Sequence, residues 1–327
     1  MRSLLLLALT ATLSAQDVHV RLPADFPTIQ QALDHAPETP GRTIISIAPG
    51  IYHERVIVTR NHPRITLLGL GKSPADTVIT ASQNAASAGG TFLSATVEID
   101  GDAFEADNIT FQNDAPPPGP VGGQAVAIAV RSDRAIFKRC RFLGDQDTLF
   151  ADFGRQYYLD SFIAGGVDFI FGNATALFDH SEIHIIRPGY LTAQSRTAPD
   201  QTTGYVITNS KVTRSMCLRD EPECYAPWAG NFYLGRPWRP YSRVIVMNTE
   251  LPASLNPEGW SLWHKDDPVP PSAYYAEFHN TGPGADTSHR APWSHQLTPA
   301  ETAAYTPLAF LSGSDSWNPL TEAAALP

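Results

Sequence analysis

Cysteine is scarce: the chain has three in 327 residues. Cys217 and Cys224 flank a short polar loop, C-L-R-D-E-P-E-C, and are read as one disulfide. Cys140, in F-K-R-C-R-F, is read as a buried, inert thiol. Basic residues are also few, 23 Lys+Arg against 33 Asp+Glu, for a formal charge of −10. That balance argues against nucleic acid and anionic membrane as partners. Long apolar runs are lacking, since residues 4–9 are too short to span a bilayer. No G-x-S-x-G occurs, which removes the usual serine elbow. G-L-G-K-S (residues 69–73) would need Gly at position 66 to be a phosphate loop, and Thr66 stands there. No His, Cys or acid cluster has metal-ligand spacing, so neither metal nor other cofactor is expected.

What is present begins with a leader. Met1-Arg2 is basic, residues 4–9 are apolar, and Ser14-Ala15 makes a small-residue exit. Residues 1–15 read as a signal peptide, although Leu13 is an atypical residue before such a cut. No cysteine at that point suggests a lipid anchor. The protein is expected to be exported, secreted or periplasmic, with residues 16–327 as one domain although the length would allow two.

Hydrophobic residues make up 43 %, enough for a large core, and 23 Gly and 28 Pro suit many short strands joined by turns. Strand-like runs recur at residues 65–68, 95–100, 108–113, 135–142, 157–162, 205–212, 243–250 and 274–281. Small polar residues recur with them: Asn108, Cys140, Ser161, Ser181, Ser210, Thr249 and Asn280. An irregular period of about 20 to 40 residues with β-type units suggests a parallel β-helix; a β-sandwich array reads nearly as well. Residues 26–36 (F-P-T-I-Q-Q-A-L-D-H-A) place Ile29, Ala32, Leu33 and Ala36 at helical spacing, with Asp25 upstream as candidate cap. This short N-terminal helix is expected to plug the open end of the solenoid. Pro116, Pro117 and Pro118 are expected to form a cleft wall, and the segment after Pro292 to pack along the outside. Asn108 and Asn173 begin sequons inside apolar runs and are read as unglycosylated.

Two aspartates carry the chemical signal. Asp147 lies in G-D-Q-D-T-L (residues 144–149), among amides and hydroxyls. Asp168 lies in G-G-V-D-F-I-F-G (residues 165–172), otherwise apolar and glycine. A carboxylate in an apolar strand is costly unless paired or used. Two carboxylates in contrasting surroundings can divide acid and base roles. The alternative is a turn cap at Asp147 and a satisfied structural acid at Asp168.

Further motifs tip that balance. G-I-Y-H-E (residues 50–54), Q-A-V-A (124–127), G-Y-L-T-A-Q-S-R-T-A-P-D-Q-T-T-G (189–204), L-G-R-P-W (234–238) and Y-Y-A-E-F-H-N-T-G-P-G-A (274–285) join the two aspartate segments. In this order, from about Phe26 to Trp317, the chain resembles the pectin methylesterases, or pectinesterases. The resemblance implies an all-β, right-handed parallel β-helix of the pectin-lyase-like kind. It implies hydrolysis of methyl esters of pectin (methyl-esterified homogalacturonan) to methanol and free carboxylates, by a monomer. Asp168 would be the nucleophile and Asp147 the acid, then base. Gln124 and Gln146 would donate to the oxyanion, and Arg236 would hold the nucleophile. Arg236 beside Asp168 would favour its charged form, and burial together with Asp168 would raise Asp147. Thr91, Gln124, Arg236, Trp238 and Trp260 are expected to contact substrate, with Trp263 read as core. Tyr52 and Glu54 are read as turn residues. A cysteine pair of many family members falls near Ser161 and Ser181 here, so that bridge is absent. The charge of −10 favours neutral, esterified stretches over polygalacturonate. The competing readings are a glycoside hydrolase or lyase on the same fold, an esterase for another acyl group, and a non-catalytic polysaccharide-binding β-helix.

Overall fold

The computed structural model describes residues 17–37, 41–116, 123–215 and 230–326. The segment read as a signal peptide, residues 1–15, and Pro117, Pro118, Cys217 and Cys224 lie outside them. No helix among the described residues is long and apolar enough to cross a membrane.

Successive strands pair in parallel, each with the next coil of a solenoid. One face is an 11-stranded sheet running from Val18–Leu22 to His295–Gln296. Two further faces are joined where Phe162–Gly172 and Glu182–Gln194 run on around a corner. The architecture is a parallel β-helix, not a sandwich array.

In such a stack equivalent residues lie one strand spacing apart, so like side chains meet directly. Phe137 stacks on Tyr158 at 4.9 Å between centroids, and Tyr158 on Phe178 at 4.6 Å. These rings fill the interior with Ile, Val and Leu from all three faces. Outward-facing Ile136, Tyr157, Leu177, Val206 and Ile245 form a second apolar stripe. The C-terminal segment covers it with Leu297, Leu311, Trp317 and Ala323, as expected of a chain running along the outside. Arg155 pins that segment through Asp315 at 2.5 Å, the Ser312 carbonyl at 2.8 Å and the Trp317 ring.

The recurring small polar residues form a ladder at one corner. The backbone N–H of Cys140 donates to Ser161 Oγ, that of Ser161 to Ser181 Oγ, and that of Ser181 to Ser210 Oγ, at 3.2, 3.1 and 3.0 Å. Thr249 N donates to Asn280 Oδ1 at 3.1 Å. Just before these rungs stand left-handed residues: Arg139, Asp160, His180, Asn209, Asn248 and His279, with φ of 48–51°. They break runs that read as single strands: residues 135–142 are Ala135–Lys138 and Arg141–Leu143, and 205–212 divide between Gly204–Thr208 and Lys211–Arg214. Asn108 is itself a left-handed residue (φ 59°), so it precedes its rung. Cys140 is buried, and burial pushes its thiol up, consistent with an inert role.

The N-terminal helix spans Ile29–Asp34 and buries Ile29, Ala32 and Leu33, against the strands Val18–Leu22 and Val56–Val58. Its N-cap is Thr28, not Asp25, whose carboxylate accepts from Arg21 N at 2.7 Å. Glu54 supplies what the helix end lacks, accepting from Ile29 N and Gln30 N, both at 3.0 Å. Tyr52 donates to the Ala48 carbonyl.

Near the other end Glu277 and Arg290, 1 % and 4 % exposed, make a two-point ion pair at 2.7 and 3.1 Å. Trp260 Nε1 also donates to Glu277. Arg290→Ala strands a buried carboxylate, and a loss of about 3–5 kcal/mol is expected. Urea unfolding midpoints measure it; an unchanged midpoint would show that the pair does not hold this end.

Candidate active site

Coil stacking gathers residues far apart in sequence at one corner. Ala125 N donates to the Gln146 carbonyl, and Asp147 N to the Val167 carbonyl, at 3.0 and 3.1 Å. Val167 pairs with Tyr190, and Tyr190 with Tyr233. Gln124, Gln146, Asp168 and Arg236 therefore rise from coils stacked on one another. They line a cavity of about 250 Å³ together with Thr91, Asp147, Phe171, Trp238 and Trp263.

The corner is irregular. Register shifts occur between Gly165 and Val167 and between Val167 and Ile170. Asp147 and Asp168 both take left-handed backbone, φ 65° and 52°, which non-glycine residues hold only where the surroundings impose it. The departure from two-residue alternation puts Phe169 and Ile170 together in the core and Phe171 with the cleft aromatics.

Asp168 is 5 % exposed and Asp147 9 %. Arg236 grips Asp168 at two points, Nε to Oδ1 at 2.9 Å and Nη2 to Oδ2 at 2.6 Å. Its Nη1 donates to the Trp263 carbonyl at 3.0 Å. Its faces are covered by the Tyr190 and Trp263 rings, 4.0 and 4.1 Å from centroid to guanidinium carbon. Arg236 crosses the intervening coil, over Tyr190, to reach Asp168. Such a two-point grip fixes orientation as well as charge.

Burial pushes Asp147 well above the usual carboxylate range, the charge of Asp168 adds to this, and Arg236 opposes it. Asp168 differs from its expected state in degree. Arg236 favours its charged form, but burial outweighs that help and its pKa stands above the ordinary value. The pair thus holds its first proton on Asp147 and leaves Asp168 the charged, poorly solvated member. Asp147 then weakens the fold at neutral pH. A raised folded-state pKa gives stability below the unfolded pKa that is lost as pH rises through the folded one. Asp147→Asn should therefore raise Tm at pH 7, with the gain fading as the pH falls towards 3.8, the ordinary value. A variant no more stable than wild type at pH 7 would contradict the assigned environment.

The aromatic assignments need one correction. Trp260 does not face the cleft: it is 1 % exposed, packs on Tyr275 and uses its N–H on Glu277. Trp263, read as core, lines the cavity beside Trp238, their rings 6.3 Å apart. Phe92, Phe150 and Phe171 extend this wall, with Phe92 46 % exposed. Phe171 lies inside the Asp168 motif and Phe92 directly follows Thr91, yet neither is marked as a cleft residue by its neighbours. Tyr190 lies in the G-Y-L-T-A-Q motif with nothing local to mark it as a partner of Arg236. Thr91 lies on the cavity as expected.

The Pectinesterase family model matches residues 18–314. A pectinesterase of Daucus carota is 40 % identical over 302 residues, covering 90 % of this chain and 91 % of its own. "Probable pectinesterase/pectinesterase inhibitor 13" of Arabidopsis thaliana is 41 % identical over 297 residues, which are 88 % of this chain; the chain spans only 47 % of that relative's length. Among solved structures, the pectin methylesterase from carrot superposes with a TM-score of 0.82 at 39 % identity, covering 96 % of this chain and 98 % of the other. Motif order, a family match over nearly the whole solenoid and a shared fold at this identity lead to one conclusion: the chain belongs to the pectinesterase family.

Proposed function

We propose that this chain hydrolyses methyl esters of polygalacturonate, releasing methanol and leaving free carboxylates. The observation that carries the reading is the two-point Arg236–Asp168 pair beside a second buried carboxylate, Asp147. Asp168, ionised and oriented, attacks the ester carbonyl carbon. The negative charge that develops on the carbonyl oxygen is met by the side-chain amides of Gln124 and Gln146, which donate without titrating. Asp147, protonated, gives its proton to the departing methoxide, and methanol leaves. The acyl group is then joined to Asp168 as an anhydride. Asp147, now ionised, takes a proton from water as the water attacks that anhydride. Asp168 is released as carboxylate, the product as a carboxylic acid, and Asp147 is protonated again.

The walls support a sugar substrate. Phe92, Trp238 and Trp263 offer faces for the apolar sides of pyranose rings. Apart from Arg236, which is committed to Asp168, no cation lines the cavity among the described residues, which suits a neutral methyl ester at the reacting position. The protein acts as an exported monomer, with residues 16–327 as the working domain and Cys217 joined to Cys224. Turnover of methyl-esterified homogalacturonan, measured beside an acetylated polysaccharide and a free monomeric methyl ester, tests the substrate. Methanol from the polymer at a far higher kcat/KM is expected. Equal or better turnover of acetyl groups would replace the reading by an esterase for another acyl group.

A further inference from the structure

We propose that the ion pair between Asp145 and Arg187 is a positioning brace, holding Gln146 and Asp147 in register with Asp168; the inference rests on the esterase reading above. Arg187 Nε lies 2.6 Å from Asp145 Oδ1, and the two side chains are 33 % and 13 % exposed. Neither lines the cavity, so neither meets the ester directly.

The placement of the pair gives it its reach. Asp145 directly precedes Gln146 and stands two residues before Asp147, whose left-handed backbone needs outside constraint. The Asp145 carbonyl accepts from Gly166 N at 2.8 Å, and Thr148 Oγ1 donates to the Ala164 carbonyl at 3.0 Å, so the loop is tied from both ends. Arg187 lies where Glu182–Gln194 leaves register, between the Gly165–Ile185 and Val167–Tyr190 pairings. Three residues on, Tyr190 lies against the Arg236 guanidinium that grips Asp168. One bridge therefore joins the loop of the acid and an oxyanion donor to the segment supporting the nucleophile's partner.

The site is shaped around the pair. A Cβ at Gly166 would come within 2.5 Å of Asp145 Oδ1 and 2.7 Å of Arg187 Cγ, so the bridge fits only over bare backbone. Arg187 Nη2 is buried and finds no acceptor among the described residues. A half-buried pair with an idle donor adds little net stability. What it supplies is geometry, and small misplacements of reacting groups are costly in rate.

The test compares Asp145→Asn, Arg187→Met, Arg187→Lys and the Asn/Met double variant, with Asp168→Asn in the same methanol-release assay. Each disruptive single variant should lower kcat by about tenfold, leaving KM within about twofold. Asp145→Asn, which strands no buried carboxylate, should also leave Tm close to wild type, whereas Arg187→Met leaves Asp145 unpaired and should lower it. The double variant should be no worse than the poorer single one, because one interaction is lost in all three. Arg187→Lys should restore part of kcat. If Arg187→Met does not fold, the isosteric Asp145→Asn and Arg187→Lys carry the test. Unchanged kcat, additive losses in the double variant, or a loss wholly in KM would each overturn the brace. An active Asp168→Asn would overturn the esterase reading itself; an inactive one beside fully active brace variants would overturn the brace alone.

Discussion

Asp168→Asn should abolish methanol release, with kcat down on the order of 10⁴-fold or more, as expected when a covalent nucleophile is removed. An amide oxygen cannot open the ester to an anhydride and regenerate. The change is nearly isosteric, and the remaining oxygen still accepts from Arg236, so the fold and the cleft should persist. Substrate binding should persist too, because the aromatic walls are untouched. KM measured on residual activity, or binding of a methylated oligomer, should change little. Retention of about a tenth or more of the wild-type rate, far above what a lost nucleophile leaves, would remove Asp168 from the nucleophile's role.

Arg236→Lys should cost on the order of a hundredfold in kcat, as losses of a positioned electrostatic group do, with KM little changed. Two roles compete for an arginine in a cleft that takes acidic sugars: clamping a substrate carboxylate, or orienting the nucleophile. The geometry supports the second. Nε and Nη2 are committed to Asp168, Nη1 to the Trp263 carbonyl, and both faces to Tyr190 and Trp263. Lysine keeps the charge but has no planar fork to hold two oxygens and no flat face to lie between two rings. A variant with near-normal kcat and a much raised KM would make Arg236 a substrate clamp.

The chemical residues could be read to different depths. Asp147 and Asp168 stood out because their neighbours contrast, and contrast is local. Gln124 and Arg236 carry no such mark; they came from the order of motifs, because coil lengths decide which residues stack at a corner. The polar ladder was visible as a recurrence, but its reason, a left-handed residue before each rung, was not, and Asn108 fell one position off. Trp260 and Trp263 were exchanged because they sit three apart in a loop without periodicity, and only the buried Glu277 shows where the Trp260 N–H goes. Phe171 was hidden by the register shifts around Asp168, which defeat alternation. Asp145 and Arg187 are 42 residues apart and meet only because a strand leaves its register between Ile185 and Tyr190.

The central claim is ester hydrolysis at the Asp147–Asp168 pair without cleavage of the sugar chain. The most direct measurement follows methanol, new carboxylate and chain length together in one reaction on highly methylated pectin. One carboxylate should appear for each methanol, and the chain length should stay constant. Shortened chains or unsaturated ends appearing without methanol would contradict the account.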